Sequence, residues 1–303
     1  MKIESESETL PASDQQQEAP PVPVYLDARR VFAAHYLAGE GLEIGPLHQP
    51  LALPPQAKAR YVDRLSVADL RSEYPDLENW DLTAVDVIDD GEKLATIAAA
   101  SQDFIVANHF LEHCENPIGT IETHLGKLKP GGILFYAVPD KRYTFDFRRP
   151  PTPIEEMAAD YEQGPERSRA AHYDEWARLI ESAMGPGEHS EEAYEAKARA
   201  LEAAKYSIHM HVWTQAEFLE LLLHCRRRFG DAFDVEAAAR SAIEFVVVLR
   251  KAGAYPAPAA APPPPGAVPP PPTGASELEV WKARGRRAWA MLRNDVRRWR
   301  ARS

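Results

Sequence analysis

The chain has 303 residues, with 46 acidic against 35 basic side chains and a formal net charge of −11. Two cysteines, Cys114 and Cys225, are too few for a disulfide scaffold or a cysteine-rich zinc module. The opening MKIESESETLPASDQQQ lacks a basic-then-apolar signal pattern, and no apolar run approaches the ~18 residues that span a bilayer, so a soluble cytoplasmic protein is predicted. Residues 1–23 are polar and proline-dotted and read as disordered. Residues 24–252 have the size of one domain. Within it, YLDARRVFAAHYLAG (25–39) predicts a helix stopped by Gly39, and GLEIG (41–45), ARYVDR (59–64) and TAVDVID (83–89) predict short strands. Ser66 with Asp69 resembles a capping box opening the helix SVADLRSEY. SQDFIVANHF (101–110) predicts a fourth strand, followed by a helix at about 117–128, a turn at Lys129-Pro130-Gly131-Gly132 and the strand ILFYAVP (133–139). Thr214 with Glu217 caps TQAEFLELLLHCRRRF, and DVEAAA and AIEFVVVLRK close the domain as strands. Such alternation predicts an α/β fold with a mainly parallel sheet, whose ligand lies beyond the carboxyl ends of the strands.

The residues at those ends are therefore the first candidates. Glu43 and Gly45 end the first strand, and Asp63 ends the second 20 residues later. Asp89 and Asp90 end the third, and Asn108 and His109 follow the fourth. A glycine in the first turn lets a ligand approach the backbone, and an acid about 20 residues on can accept hydrogen bonds from both ribose hydroxyls.

The segment FIVANHFLEHCENPIGTIETHLGKLKPGGILFYAVPD (104–140) makes the pattern specific. Its apolar strand, the triplet Leu111-Glu112-His113, the acidic turn at Glu115 and Leu128-Lys129-Pro130-Gly131-Gly132 closely resemble the stretch from fourth to fifth strand of class I S-adenosylmethionine-dependent methyltransferases. The resemblance runs across about 41–140 and implies a Rossmann-like seven-stranded fold that binds S-adenosylmethionine. It places Glu43 and Gly45 by the methionine moiety, Asp63 on the ribose, Asp90 by the adenine, and Asn108, with His109 after it, near the sulfonium end. The first loop departs from the family's Glu-x-Gly-x-Gly-x-Gly: Leu47 and Gln49 occupy the later glycine positions, and Pro46, Pro50, Pro54 and Pro55 prevent a helix from starting directly after the strand. GLEIGPLHQPL also resembles the first loop of a subgroup associated with glycan assembly, which implies a small-molecule or glycan-related acceptor.

About 70 residues, 141–213, separate the fifth strand from the closing helix, far beyond the usual ~2–6 of such a loop. Helices fit here: Thr152-Pro153-Ile154-Glu155 has capping-box form, and PERSRAAHYDEWARLIESAM and SEEAYEAKARALEAAKY follow. In the resembling enzymes such insertions cover the cofactor and build the acceptor pocket. A sulfonium methyl is already activated, so the protein mainly aligns the acceptor, and a hydroxyl acceptor also needs its proton removed. Asp140, at the end of the fifth strand, is the first candidate base, with His172 and His209 next. His209 and His211 lie two apart in SIHMHVWT and share a face if it is extended. With His172, and Asp140 as a fourth ligand, they would instead make a metal-dependent enzyme. A non-catalytic scaffold of the same fold is the other rival.

Ten prolines between 254 and 275 make an extended spacer within the linker 253–275. Residues 276–303 hold nine basic and three acidic side chains, a local charge of +6 against −17 for the rest. Leu278, Trp281, Gly285, Ala288, Leu292, Val296 and Trp299 form one apolar stripe on a helix flanked by arginines. Such a helix docks on an acidic partner or an anionic membrane surface. No stacking platform accompanies it, which argues against nucleic acid.

Overall fold

The computed structural model describes residues 27–74, 80–181 and 190–253. The disordered start expected at 1–23, the proline-rich linker beyond Gly253 and the basic helix at 276–303 lie outside the described residues. Seven strands form one sheet: β1 (Gly39–Ile44), β2 (Ala57–Asp63), β3 (Val87–Ile88), β4 (Gln102–Asn108), β5 (Leu128–Pro139), β6 (Phe233–Ser241) and β7 (Glu244–Lys251). Their order is β3-β2-β1-β4-β5-β7-β6. Strands β1 to β5 pair in parallel, whereas β7 runs antiparallel between β5 and β6. This is the Rossmann-like class I methyltransferase sheet that the alternation and the resemblance predicted.

Period-two alternation decides what each face buries. Phe104 and Val106 of β4, with Phe135 and Ala137 of β5, turn toward α1 (Ala28–Tyr36), where Ala28 and Ala33 are buried. Ile105, Ala107, Leu134, Tyr136 and Val138 turn the other way, onto Ile118, Ile121 and Leu125 of α3 (Pro117–Lys127) and onto the helix Gln215–Arg228. Each fully buried Val, Leu, Ile or Phe among them contributes roughly 1.5–3 kcal/mol, so the alternation fixes the register. After β2, α2 (Val67–Glu73) starts at Ser66, whose hydroxyl accepts the Asp69 N–H at 3.2 Å.

The insertion contributes α4 (Ile154–Gln163), α5 (Glu166–Trp176), a π turn at Ala177–Glu181 and α6 (Glu191–Ala203). Tyr173, Trp176, Ile180, Ala198, Leu201, Ile208 and Met210 give it a small core of its own. The closing helix, α7 (Gln215–Arg228), has the expected capping box, with the Thr214 N–H donating to Glu217 Oε2 at 3.0 Å.

Three local expectations are corrected. Thr152 does not cap α4: its hydroxyl accepts the Val212 N–H at 3.1 Å, its own N–H donates to the Val212 carbonyl at 3.0 Å, and Pro153 stands at the N-cap. The returning chain offers a long-range partner, which ties the two ends of the insertion together. The third strand shrinks to Val87–Ile88, because the Thr83 N–H pairs with the Leu47 carbonyl of the first loop instead. Residues 129–132 are not a separate turn but bulge out of β5, since Gln102 pairs with Leu128 and Phe104 with Ile133.

Candidate functional site

The register brings the strand ends together as expected. Glu43 lies between Tyr61 of β2 and Val106 of β4, Ile44 pairs with Ala107, and Asp63 pairs with Ile88 of β3. Neighbouring strands are ~4.8 Å apart, so Glu43, Asp63 and Asn108 occupy one rim.

The departure in the first loop has a structural solution. No helix follows β1 before β2; the chain from Pro46 turns back, and the Leu51 N–H donates to both Glu43 carboxylate oxygens at 2.8 and 3.1 Å. Glu43 is 1% exposed, and burial pushes its carboxyl up to about 7 despite Leu51, the distant Arg29 charge and the nearby Asn108 amide. Asn108 lies near that carboxylate but outside hydrogen-bond geometry, and both ends of its buried amide are without a partner. Gly45 has φ +61, and a Cβ built on it would meet nothing within 4 Å. Beside it, burial raises the half-buried Asp63 carboxyl against a hydrogen bond from the Leu65 N–H at 3.2 Å.

The third strand ends in two acids with different work. Asp89 is buried, and its carboxylate accepts from the Asp90, Ala95 and Thr96 N–H groups and from the Thr96 hydroxyl at 2.6–3.2 Å. Asp90 faces outward and pairs with Lys93 at 2.7 Å. Gly91 between them and Phe110 is required: a Cβ would come within 2.6 Å of the Phe110 ring and 2.7 Å of Ile44. The same glycine's carbonyl is 2.8 Å from Nε2 of His124, whose Nδ1 is 2.8 Å from the Tyr136 hydroxyl.

His109 adopts φ +50 and lies 2.7 Å from Glu244 Oε2, which Arg29 also binds, through Nε at 2.7 Å to Oε1. Burial lowers the His109 pKa, but the Glu244 hydrogen bond and carboxylate charges outweigh it and leave it raised. Asp140 is buried at the end of β5; burial raises its carboxyl, yet two hydrogen bonds from the Arg142 guanidinium at 2.9 and 2.6 Å hold it below the ordinary value.

The three histidines of the insertion are not brought to one point. His209 Nδ1 is 2.7 Å from Asp146 Oδ2, and its ligand atoms cluster with those of Glu112 and His113. Phe145 and Trp176 flank the His209 ring at centroid distances of 4.9 and 6.0 Å. His172 and His211 sit instead with Glu156. Burial lowers both of their pKa values, and it also takes His113 down to about 3. Sequence reading missed the hub of this region, Arg149. It is 1% exposed and donates to Asp146, Glu175 and the carbonyls of His209 and Met210 at 2.7–3.1 Å. Asp146, Glu156 and Glu244 were missed as well. Arg148-Arg149-Pro150 reads as a solvated pair, and no periodicity distinguishes the second arginine.

Residues 28–224 match the family model described as a methyltransferase domain. The chain belongs to that family. As a class I methyltransferase it uses S-adenosylmethionine as methyl donor. No curated protein matches the chain. Among solved structures, a SAM-dependent methyltransferase from Aquifex aeolicus is 14% identical, with 74% of this chain and 89% of that chain covered and a TM-score of 0.40. A SAM-dependent methyltransferase from Methanosarcina mazei is 16% identical, covering 76% and 99%, with a TM-score of 0.39. The CurJ carbon methyltransferase is 14% identical at TM-score 0.37, and this chain covers 72% of its own length but 49% of that one. Among the described residues of this methyltransferase, no helix is long and apolar enough to cross a membrane.

The rim fits the methyl donor. Open space over Gly45 admits a ligand against the backbone, and the buried, unpaired Asn108 amide awaits polar partners. When bound, S-adenosylmethionine supplies a methyl group on a positively charged sulfur. Glu43, Gly45, Asp63 and Asn108 would hold it, with Asp90 at the outer end and His109 behind the rim. A carboxyl poised near 7 ionises readily beside a cation.

Proposed function

We propose that this methyltransferase methylates a hydroxyl on a small-molecule or glycan-related acceptor, with His209 as the base. The carrying observation is the Asp146–His209 pair walled by Phe145 and Trp176. Asp146 accepts the Nδ1 proton of His209, which leaves Nε2 with a lone pair to take the acceptor's hydroxyl proton as the new O–C bond forms. Arg149 and the His209 hydrogen bond overcome burial to keep Asp146 ionised, its carboxyl lying below the ordinary value. Glu43, Gly45, Asp63 and Asn108 orient the donor so that the acceptor is met in line. Asp140, bound by Arg142, anchors the turn after β5 rather than moving a proton, and His172 is enclosed with His211 and Glu156.

A glycan-related acceptor is supported by the aromatic walls, on which apolar sugar faces stack, and by the first loop GLEIGPLHQPL with its likeness to the glycan-assembly subgroup. In the same reading residues 276–303 dock on an acidic partner or an anionic membrane surface, which vesicle co-sedimentation at low and high salt tests. The acceptor is tested by screening sugar nucleotides, lipid-linked glycans and small hydroxyl compounds with methyl-labelled S-adenosylmethionine. Label should enter one of these classes and fall about 10²–10⁴-fold in His209→Ala. Transfer undiminished in His209→Ala refutes the assignment of the base.

A further inference from the structure

Among the described residues, two neighbouring buried imidazoles carry ring nitrogens without a hydrogen-bond partner. His211 is 0% exposed, and both ring nitrogens lack a hydrogen-bond partner; the Glu115 carbonyl lies near but outside hydrogen-bond geometry. His172 is 7% exposed, and its Nε2 is buried and unpartnered as well. The rings meet edge to face with centroids 4.9 Å apart. A buried polar atom without a partner destabilises the fold, and apolar residues could replace these side chains. A third donor faces them: Glu156 Oε1 lies 3.4 Å from His172 Nε2. One ligand atom from each of Glu156, His172 and His211 falls within 4.8 Å of the others.

We infer that Glu156, His172 and His211 form a binding site for a divalent metal ion of the zinc type, which pins the helical insertion together. The 3.4 Å separation of His172 and Glu156 matches the roughly 3.3 Å between two ligands of a tetrahedral ion with bonds of ~2.0 Å. Two imidazoles and one carboxylate are a donor set suited to zinc, with a fourth position left to water. The buried cation Arg149 is already committed to Asp146, Glu175 and two carbonyls. The three ligands come from α4, α5 and the return segment before Trp213. An ion there crosslinks parts of the insertion far apart in sequence, in the region that Thr152 and Val212 already tie. This site is separate from the base proposed above: His209 belongs to the other cluster, with Glu112 and His113.

The test uses the full-length chain, stripped with chelator and titrated with Co²⁺ and Zn²⁺ alone. The wild type should bind one ion per chain, develop the visible absorption of low-symmetry Co²⁺, and melt at a higher temperature when loaded. Glu156→Gln and His211→Gln should each weaken binding about tenfold or more and lose the spectrum, whereas His209→Gln should leave both unchanged. If His211→Gln does not fold by circular dichroism, Glu156→Gln decides, since Glu156 stands on a partly exposed helix face. The inference fails if the wild type takes up no Co²⁺, or if uptake survives Glu156→Gln. It also fails if His209→Gln alone abolishes uptake, which places the ion with Glu112 and His113.

Discussion

Replacing Glu43 by glutamine should make the protein more stable and the cofactor site worse. The Glu43 carboxyl is raised from 4.5 to about 7 in the folded chain, at a position 1% exposed. At about 1.36 kcal/mol per pKa unit, the folded state disfavours the ionised form by about 3 kcal/mol relative to the unfolded chain. The sign follows from proton counting. Between pH 4.5 and 7 the folded chain holds a proton that the unfolded chain has released, so stability falls as pH rises and is flat above that window. Glutamine keeps the acceptor for Leu51 without the charge. Urea unfolding should therefore show Glu43→Gln about 2–3 kcal/mol more stable than wild type at pH 8, with little difference at pH 4.5. Titration calorimetry should show that the same variant binds S-adenosylmethionine about tenfold more weakly at pH 8, having lost the carboxylate that faces a cation. Equal stabilisation at both pH values refutes the raised carboxyl, and undiminished binding refutes its place at the donor.

Asn108→Ala removes an amide with no partner, so its unfolding midpoint should hardly move while affinity for S-adenosylhomocysteine drops about tenfold; a large stability loss contradicts this. Gly45→Ala should cost about 1 kcal/mol at φ +61 and further cripple ligand binding, because the space its methyl fills is the ligand's. Arg149→Ala leaves Asp146 and Glu175 without their buried cation, and thermal or urea unfolding should register a loss of about 3–5 kcal/mol. A loss below 1 kcal/mol means that the hub is dispensable. Asp146 lies below its ordinary value, so its contribution is present above about pH 4 and disappears as pH falls through its folded value. Asp146→Asn should therefore flatten the acid limb of the stability curve measured by circular dichroism.

The sheet and its rim were legible because period-two runs bury both faces, and because strand ends must carry polar groups wherever a ligand binds. Glu43, Gly45, Asp63, Asn108 and His109 were placed at strand ends this way, and the structure sets them on adjacent strand ends. The insertion was legible as helices but not as contacts. Thr152 satisfied a local capping pattern, yet a partner 60 residues away took its hydroxyl. Arg149 and Asp146 sit in a short irregular stretch with no periodicity, so their burial depends on chain returning from position 209, which local pattern does not encode. Period-two spacing suggests that His209 and His211 share one face if the segment is extended, but the two join different clusters. That spacing did not reveal that His209 pairs with Asp146 while His211 turns to His172.

The ring of His124 carries a consequence for the loop that ends the third strand. A carbonyl can only receive a proton, so Nε2 gives its hydrogen to Gly91, and Nδ1 must receive one from the Tyr136 phenol. With its pKa taken down to about 4 by burial, the imidazole keeps this single tautomer throughout the neutral range. That loop is therefore moored to the central sheet by an uncharged tether, and shifts of acidity within the neutral range leave its position untouched.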